Sequence, residues 1–169
     1  MYYFELFELP VSLIVNKAEV LKKYYQLSRQ YHPDRFTLQG EDARSDSLDM
    51  STRINEAKNI LDDAGKRLAY ILKEKNVIEP DEKYALSPLF LAEMMDINEQ
   101  LMEMDTAEAT EELKQKIRNE IAAIESELYA DVKPYFEMSI LDVSADDLAK
   151  LKDYYYKRKY LFRILDRLN

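Results

Sequence analysis

The sequence predicts an all-α protein in two parts: a helical hairpin with short accompanying helices, then a three-helix bundle. Three observations carry this. Glycine is nearly absent, at 2 residues in 169, and tight strand-to-strand turns lean on glycine. Apolar residues recur at three- and four-residue spacing along most of the chain, which marks one face of a helix. Helix start signals stand in front of several of these stretches.

The opening run, Tyr2 to Leu9 before Pro10, is apolar and too short for periodicity to choose helix or strand. Asn16 then begins a clear helix, with Glu19 completing a capping-box-like pair. Val20, Leu21, Tyr24, Leu27, Ser28 and Tyr31 fall on its apolar face, while Lys22, Lys23 and Arg29 lie off it. The helix must end at Tyr31-His32-Pro33, because Pro33 lacks a backbone donor and pushes His32 out of helical geometry. A polar loop is expected over 37–46. A second amphipathic helix follows from about Ser47 to Asp62, and two helices joined this way should pack antiparallel. Ala64 to Lys75 reads as a further short helix, with Gly65 marking the break before it.

Residues 76–86 contain Pro80, several acids and no periodicity, so they read as a linker between residues 1–75 and 87–169. Three long helical patterns follow: Pro88 to Met104, Thr106 to Phe136, and Ser144 to Leu168. Ser87-Pro88 is an N-cap followed by an N1 proline, and Asp146 and Asp147 suit a helix N-terminus. Helices of this length with short connections form an antiparallel bundle.

Composition excludes several functions. The net charge is −9, and residues 93–112 hold eight acids and no base. Nucleic acid needs clustered positive charge and is not an expected partner. No apolar run approaches the roughly 18 residues of a membrane span, so no membrane partner is expected. With no cysteine there is neither a disulfide nor a thiolate ligand, and a reducing, cytoplasmic location fits. His32 is the only histidine, so histidine-containing zinc sites and di-iron bundle sites are out of reach. His32 and Asp34 share a loop with no nucleophile or oxyanion turn near them, so neither catalysis nor a cofactor is expected. Read alone, His32 is a polar loop residue, and the bases before it are a solvated surface.

His32-Pro33-Asp34, set between an amphipathic helix with exposed bases and a second amphipathic helix, resembles the signature of a J domain. Tyr3 and Leu6 before it and Asn55 and Ala57 after it fit the same pattern. A J domain joined through a short linker to a three-helix bundle resembles the HscB family of iron–sulfur co-chaperones. Arg29-Gln30-Tyr31-His32-Pro33-Asp34-Arg35-Phe36 and Phe90-Leu91-Ala92-Glu93 carry that likeness. The resemblance implies that His32, Pro33 and Asp34 contact an HscA/DnaK-type chaperone and stimulate its ATPase. Lys22, Lys23 and Arg29 would be its electrostatic docking residues.

On the first bundle helix, Phe90, Met94, Ile97, Leu101 and Met104 share the core face at about 100° per residue. Leu91, Met95 and Met102 form a second stripe flanked by acids. That stripe is either the margin of a wide core or a partner groove, for which adaptable methionines and a charged rim are suited. The resemblance implies the groove, with Leu91, Ala92, Met95, Asp96, Glu99 and Glu103 holding an IscU-type scaffold. Ala92 is smaller than the residue usual there, and Asp96 is shorter than a glutamate. The family also uses an aromatic on its last helix, assigned here to Tyr154. Two other readings stay open: a J protein for a different client, and a helical adaptor in which the tripeptide is incidental.

Overall fold

Several helices begin where short polar side chains meet the first unpaired backbone amides. The computed structural model describes residues 1–36, 40–106 and 111–168, with backbone alone at 103–106. The described residues hold α1 (Tyr2–Leu6), α2 (Lys17–Gln30), α3 (Glu41–Asp62), α4 (Ala64–Glu74), α5 (Pro88–Thr106), α6 (Glu111–Glu137) and α7 (Ala145–Arg167). No strand occurs among them, so the all-α expectation holds. Asn16 caps α2 by accepting from the Ala18 amide at 3.0 Å, and Ser144 caps α7 by accepting from the Asp147 amide at 3.2 Å. Ser87 accepts from the Phe90 amide at 3.3 Å, with Pro88 at the first helical position of α5.

Three details differ from the sequence reading. The opening run is helical, as α1. α3 starts at Glu41, six residues before the expected Ser47. Its first turn has no apolar stripe to announce it, but Glu41 and Asp42 suit the positive end of a helix, and Gly40 turns the chain into it at φ 105°. The break between α3 and α4 falls at Asp63 rather than Gly65: Asp63 is extended, and its carboxylate accepts from the Lys66 amide at 2.8 Å.

The chain divides into two compact units, residues 1–77 with 136–143, and residues 78–135 with 144–169. In the first, α3 packs against α1, α2, α4 and the short 3-10 turn at Pro33–Arg35. Ile54, Ala57 and Leu61 of α3 are buried, as are Phe4, Phe7, Val20, Leu68, Ile71 and Leu72 from or beside the other three helices. Each large apolar side chain removed from water in this way contributes about 1.5–3 kcal/mol. Leu21, expected on this buried face, is 44 % exposed. It lies about 100° around the helix from the buried Val20.

Polar contacts fix the packing in register. The hydroxyls of Ser47 and Ser51 both donate to the Tyr31 carbonyl at 2.8 Å. The Tyr24 hydroxyl donates to Asn55 Oδ1 at 3.0 Å, so α2 and α3 run antiparallel. The buried Arg67 guanidinium donates to the carbonyls of Leu13, at 3.0 Å, and Leu61. It gives the end of α3 a cation where the helix carbonyls are unpaired.

In the second unit α5, α6 and α7 enclose one core. Phe90, Met94, Ile97 and Leu101 face Ile117 and Ile121 of α6 and Leu161, Ile164 and Leu168 at the end of the chain. Met104, expected in this row, lies outside the described side chains. Arg118 with the Leu168 carbonyl, Glu125 with Arg158, and Tyr135 with Lys150 place α6 and α7 antiparallel. Residues 79–86 have no regular structure but are fastened to α7. Tyr84 stacks on Tyr156 with ring centroids 4.5 Å apart. Tyr84 donates to Asp153 at 2.9 Å, Tyr156 donates to Glu82 at 3.1 Å, and Lys152 pairs with Glu82. Burial, and then the neighbouring carboxylate acceptor, pushes each phenol up to about 12. No described helix is long and apolar enough to cross a membrane.

Two measurements test this architecture. Ser47→Ala and Ser51→Ala should each cost less than about 1 kcal/mol in urea unfolding, since one donor remains; together they should cost about 1–3 kcal/mol. Strictly additive losses would mean that the two hydroxyls do not share the Tyr31 carbonyl. The second concerns alkaline pH. A folded-state phenol pKa raised above its ordinary 10 contributes stability below pH 10 that is lost as pH rises through about 12. Unfolding midpoints should therefore fall across that window, and Tyr84→Phe with Tyr156→Phe should make the fall shallower. A double variant that tracks the wild type would remove the two phenols from the account.

Candidate functional site

The His-Pro-Asp turn is set by what happens to the end of α2. Tyr31 closes the helix through its amide, which donates to the Leu27 carbonyl at 2.9 Å. His32 is extended, as a residue before proline prefers, and Pro33 starts the 3-10 turn. The Arg35 amide donates to the His32 carbonyl, and the Phe36 amide to the Pro33 carbonyl, each at 3.0 Å. Arg35 also reaches back and donates to the Arg29 carbonyl at 3.1 Å. That carbonyl lies four residues before Pro33, which has no amide hydrogen to offer it. With Tyr31 held from α3, both sides of the turn are anchored while its side chains stay in solvent: those of His32 and Asp34 are exposed.

His32 Nδ1 accepts from the Asp34 amide at 3.3 Å, so the neutral ring carries its proton on Nε2. Asp34 Oδ2 lies 3.6 Å from the same nitrogen, a contact that becomes an ion pair only when the ring is protonated. The turn thus presents a ring N–H donor and a carboxylate from a fixed backbone.

The three expected docking bases differ in setting. Lys22 and Arg29 are exposed. Lys23 is half-buried and bonded to Glu8, whose carboxyl it holds below the usual carboxylate range. Its ammonium therefore ties α2 to the residues after α1. Sequence reasoning missed Ser47 and Ser51, and the signal was faint: two hydroxyls one helical turn apart, four residues like any other i, i+4 pair.

The second candidate surface lies on α5. Phe90, Met94, Ile97 and Leu101 point into the bundle core, which leaves the neighbouring stripe outside. Leu91 is 42 % exposed and Met95 60 %, with Met102 also exposed. Ala92, Asp96 and Glu99 are exposed beside them, whereas the Glu103 side chain lies outside the described residues. An apolar strip rimmed by carboxylates is thus present on the surface, on a helix with no base. Leu89 is exposed at its start, where periodicity gave no reason to single it out.

Tyr154 does not join this strip. It is only 7 % exposed, near Tyr129 of α6 with ring centroids 6.4 Å apart, and burial raises the pKa of its hydroxyl. It lines a cavity of about 410 Å³ bounded by Leu128, Val132 and Ala149. Tyr154 is thus largely buried, whereas Phe162 on the same helix is exposed. Three adjacent tyrosines gave periodicity no way to choose among them. Among the described residues, no three metal-ligating side chains converge.

Comparison with known proteins agrees with both halves. Residues 2–70 match the DnaJ domain, and residues 86–169 match the family described as the HSCB C-terminal oligomerisation domain. The chain is 28 % identical to the co-chaperone protein HscB homolog of Psychromonas ingrahamii over 155 residues, covering 90 % of this chain and 89 % of that one. It is 26 % identical to the homolog of Vibrio cholerae over 169 residues, 99 % of each. The crystal structure of human co-chaperone protein HscB superimposes with a TM-score of 0.83 at 30 % identity, covering 99 % of this chain and 80 % of that one. Chaperone HscB from Vibrio cholerae superimposes with a TM-score of 0.68 at 26 % identity over the whole of both chains. With a J domain, a three-helix bundle and this likeness running the length of the chain, the protein belongs to the HscB family of co-chaperones.

Proposed function

We propose that this protein captures an IscU-type iron–sulfur scaffold on its bundle and presents it to an HscA/DnaK-type chaperone through its J domain. A J domain implies an Hsp70-type chaperone partner. The finer assignment rests on the exposed strip of α5. Leu91 and Met95 stand clear of a core already closed by Phe90, Met94, Ile97 and Leu101, so they are available to a partner. Apolar anchors inside a charged rim are what a protein interface uses. The proposed contact set is Leu91, Ala92, Met95, Asp96 and Glu99, with Glu103 assigned by sequence alone.

On the J domain, His32, Pro33 and Asp34 contact the chaperone and favour its hydrolysis-competent state, with Lys22 and Arg29 steering the approach. Hydrolysis locks the chaperone on the scaffold, and the ATPase chemistry belongs to the partner. One chain that holds both proteins replaces a chance encounter by a local one, which raises effective concentration without any new contact. We assign these tasks to residues 1–75 and 87–169, joined through 76–86.

The test is ATP hydrolysis by an HscA-type chaperone, with and without an IscU-type scaffold. Wild-type protein should stimulate alone and synergistically with scaffold, and His32→Gln should abolish both effects. Stimulation that ignores the scaffold would reassign the bundle to another client; no stimulation would leave a helical adaptor. In parallel, Leu91→Glu with Met95→Glu should weaken scaffold binding in calorimetry by about tenfold or more while scaffold-free stimulation is kept. Unaltered scaffold affinity would show that the α5 strip is not the contact.

A further inference from the structure

The J-domain face of α2 carries an apolar pair that the electrostatic picture of docking does not use. Leu21 is 44 % and Tyr25 55 % exposed, one helical turn apart and leading toward Arg29 and then His32. On the same helix Val20 is buried and Tyr24 is bonded to α3, so Leu21 and Tyr25 lie toward solvent from both. Tyr25 is nonetheless held in place. Its ring leans on Tyr24, with centroids 5.6 Å apart and planes at 56°, and the Tyr24 hydroxyl is bonded across to Asn55 of α3. An exposed aromatic supported from beneath loses little freedom on binding, the condition under which such rings become strong contacts.

We propose that Leu21 and Tyr25 are apolar anchors for the chaperone and form the centre of a contact whose rim is Lys22, Arg29 and the His-Pro-Asp turn. This rests on the chaperone reading above and extends it. Continuity argues for one occupant. Along α2, Tyr25 lies roughly 10 Å and Leu21 roughly 16 Å from His32 at 1.5 Å per residue. A standard interface covers roughly 800 Å² on each partner, a patch about 32 Å across. The turn, Tyr25 and Leu21 therefore fit within the span of one such patch. Mixed chemistry suits it: bases steer the encounter, and apolar contact holds the complex when salt screens those bases.

The experiment titrates an HscA/DnaK-type chaperone with full-length protein and follows ATP hydrolysis at about 0.05 M and about 0.5 M salt. Leu21→Ser with Tyr25→Ser should raise the concentration for half-maximal stimulation about tenfold while the maximal rate is kept. Its salt dependence should be steeper than that of the wild type, because mainly charged contacts remain. Tyr25→Phe should restore wild-type behaviour beside an intact Leu21, and helical circular dichroism should be unchanged throughout. A double variant with a wild-type titration curve would overturn the apolar anchor while leaving the chaperone reading intact. Undiminished stimulation by His32→Gln, or none by the wild type, would overturn the reading beneath it and this inference with it.

Discussion

Everything in the J-domain unit is arranged around one buried stripe on α3. Ile54, Ala57 and Leu61 are sealed from water, and α1, α2 and α4 all pack against the helix that carries them. The fully buried alanine matters most in that row. Its single methyl occupies little of the space where the helices meet, and a larger side chain would force them apart. The polar contacts then choose one register among those that apolar packing allows. Tyr24 meets Asn55, Ser47 and Ser51 meet Tyr31, and Arg67 closes the far end of α3. A site exposed to solvent thereby inherits the precision of a closed core.

The bundle solves a different problem with the same materials. Its first helix must be apolar on one face to build the core and apolar again on part of another. Phe90, Met94, Ile97 and Leu101 take the first task, and Leu91, Met95 and Met102 are left facing water. Acids beside that strip keep it soluble and keep it from meeting similar surfaces, since like charges repel across a contact. Charge on α2 is of the opposite sign, so the two proposed docking surfaces favour partners of unlike electrostatics.

Much of this was legible beforehand because it depends on local rules. Asn16, Ser87 and Ser144 cap helices where short polar residues precede periodic ones, and Pro33 ends α2 for a reason visible in one residue. Counting angles around a wheel set the second stripe of α5 apart from its core face but left its exposure open. What could not be read depended on partners distant in sequence. The first turn of α3 has no large apolar residue to mark it. Leu21 sits at the edge of the apolar arc, where the position of α3 decides its exposure. Tyr154 is one of three consecutive tyrosines, and which ring turns inward depends on the α6 side chains near it. Lys23 looked like a free base until Glu8 was placed beside it.

The manner in which the His-Pro-Asp turn is held has a consequence for reading function from variation. Arg35, Ser47 and Ser51 fix the pose of the three residues proposed to touch the chaperone, two of them through the Tyr31 carbonyl and one through that of Arg29. A scan scored on chaperone output, with the two serines replaced together, would return all six as one cluster. Part of that cluster would trace a splint behind the contact, and a docking footprint drawn from such scores would extend over Ser47, whose side chain is buried.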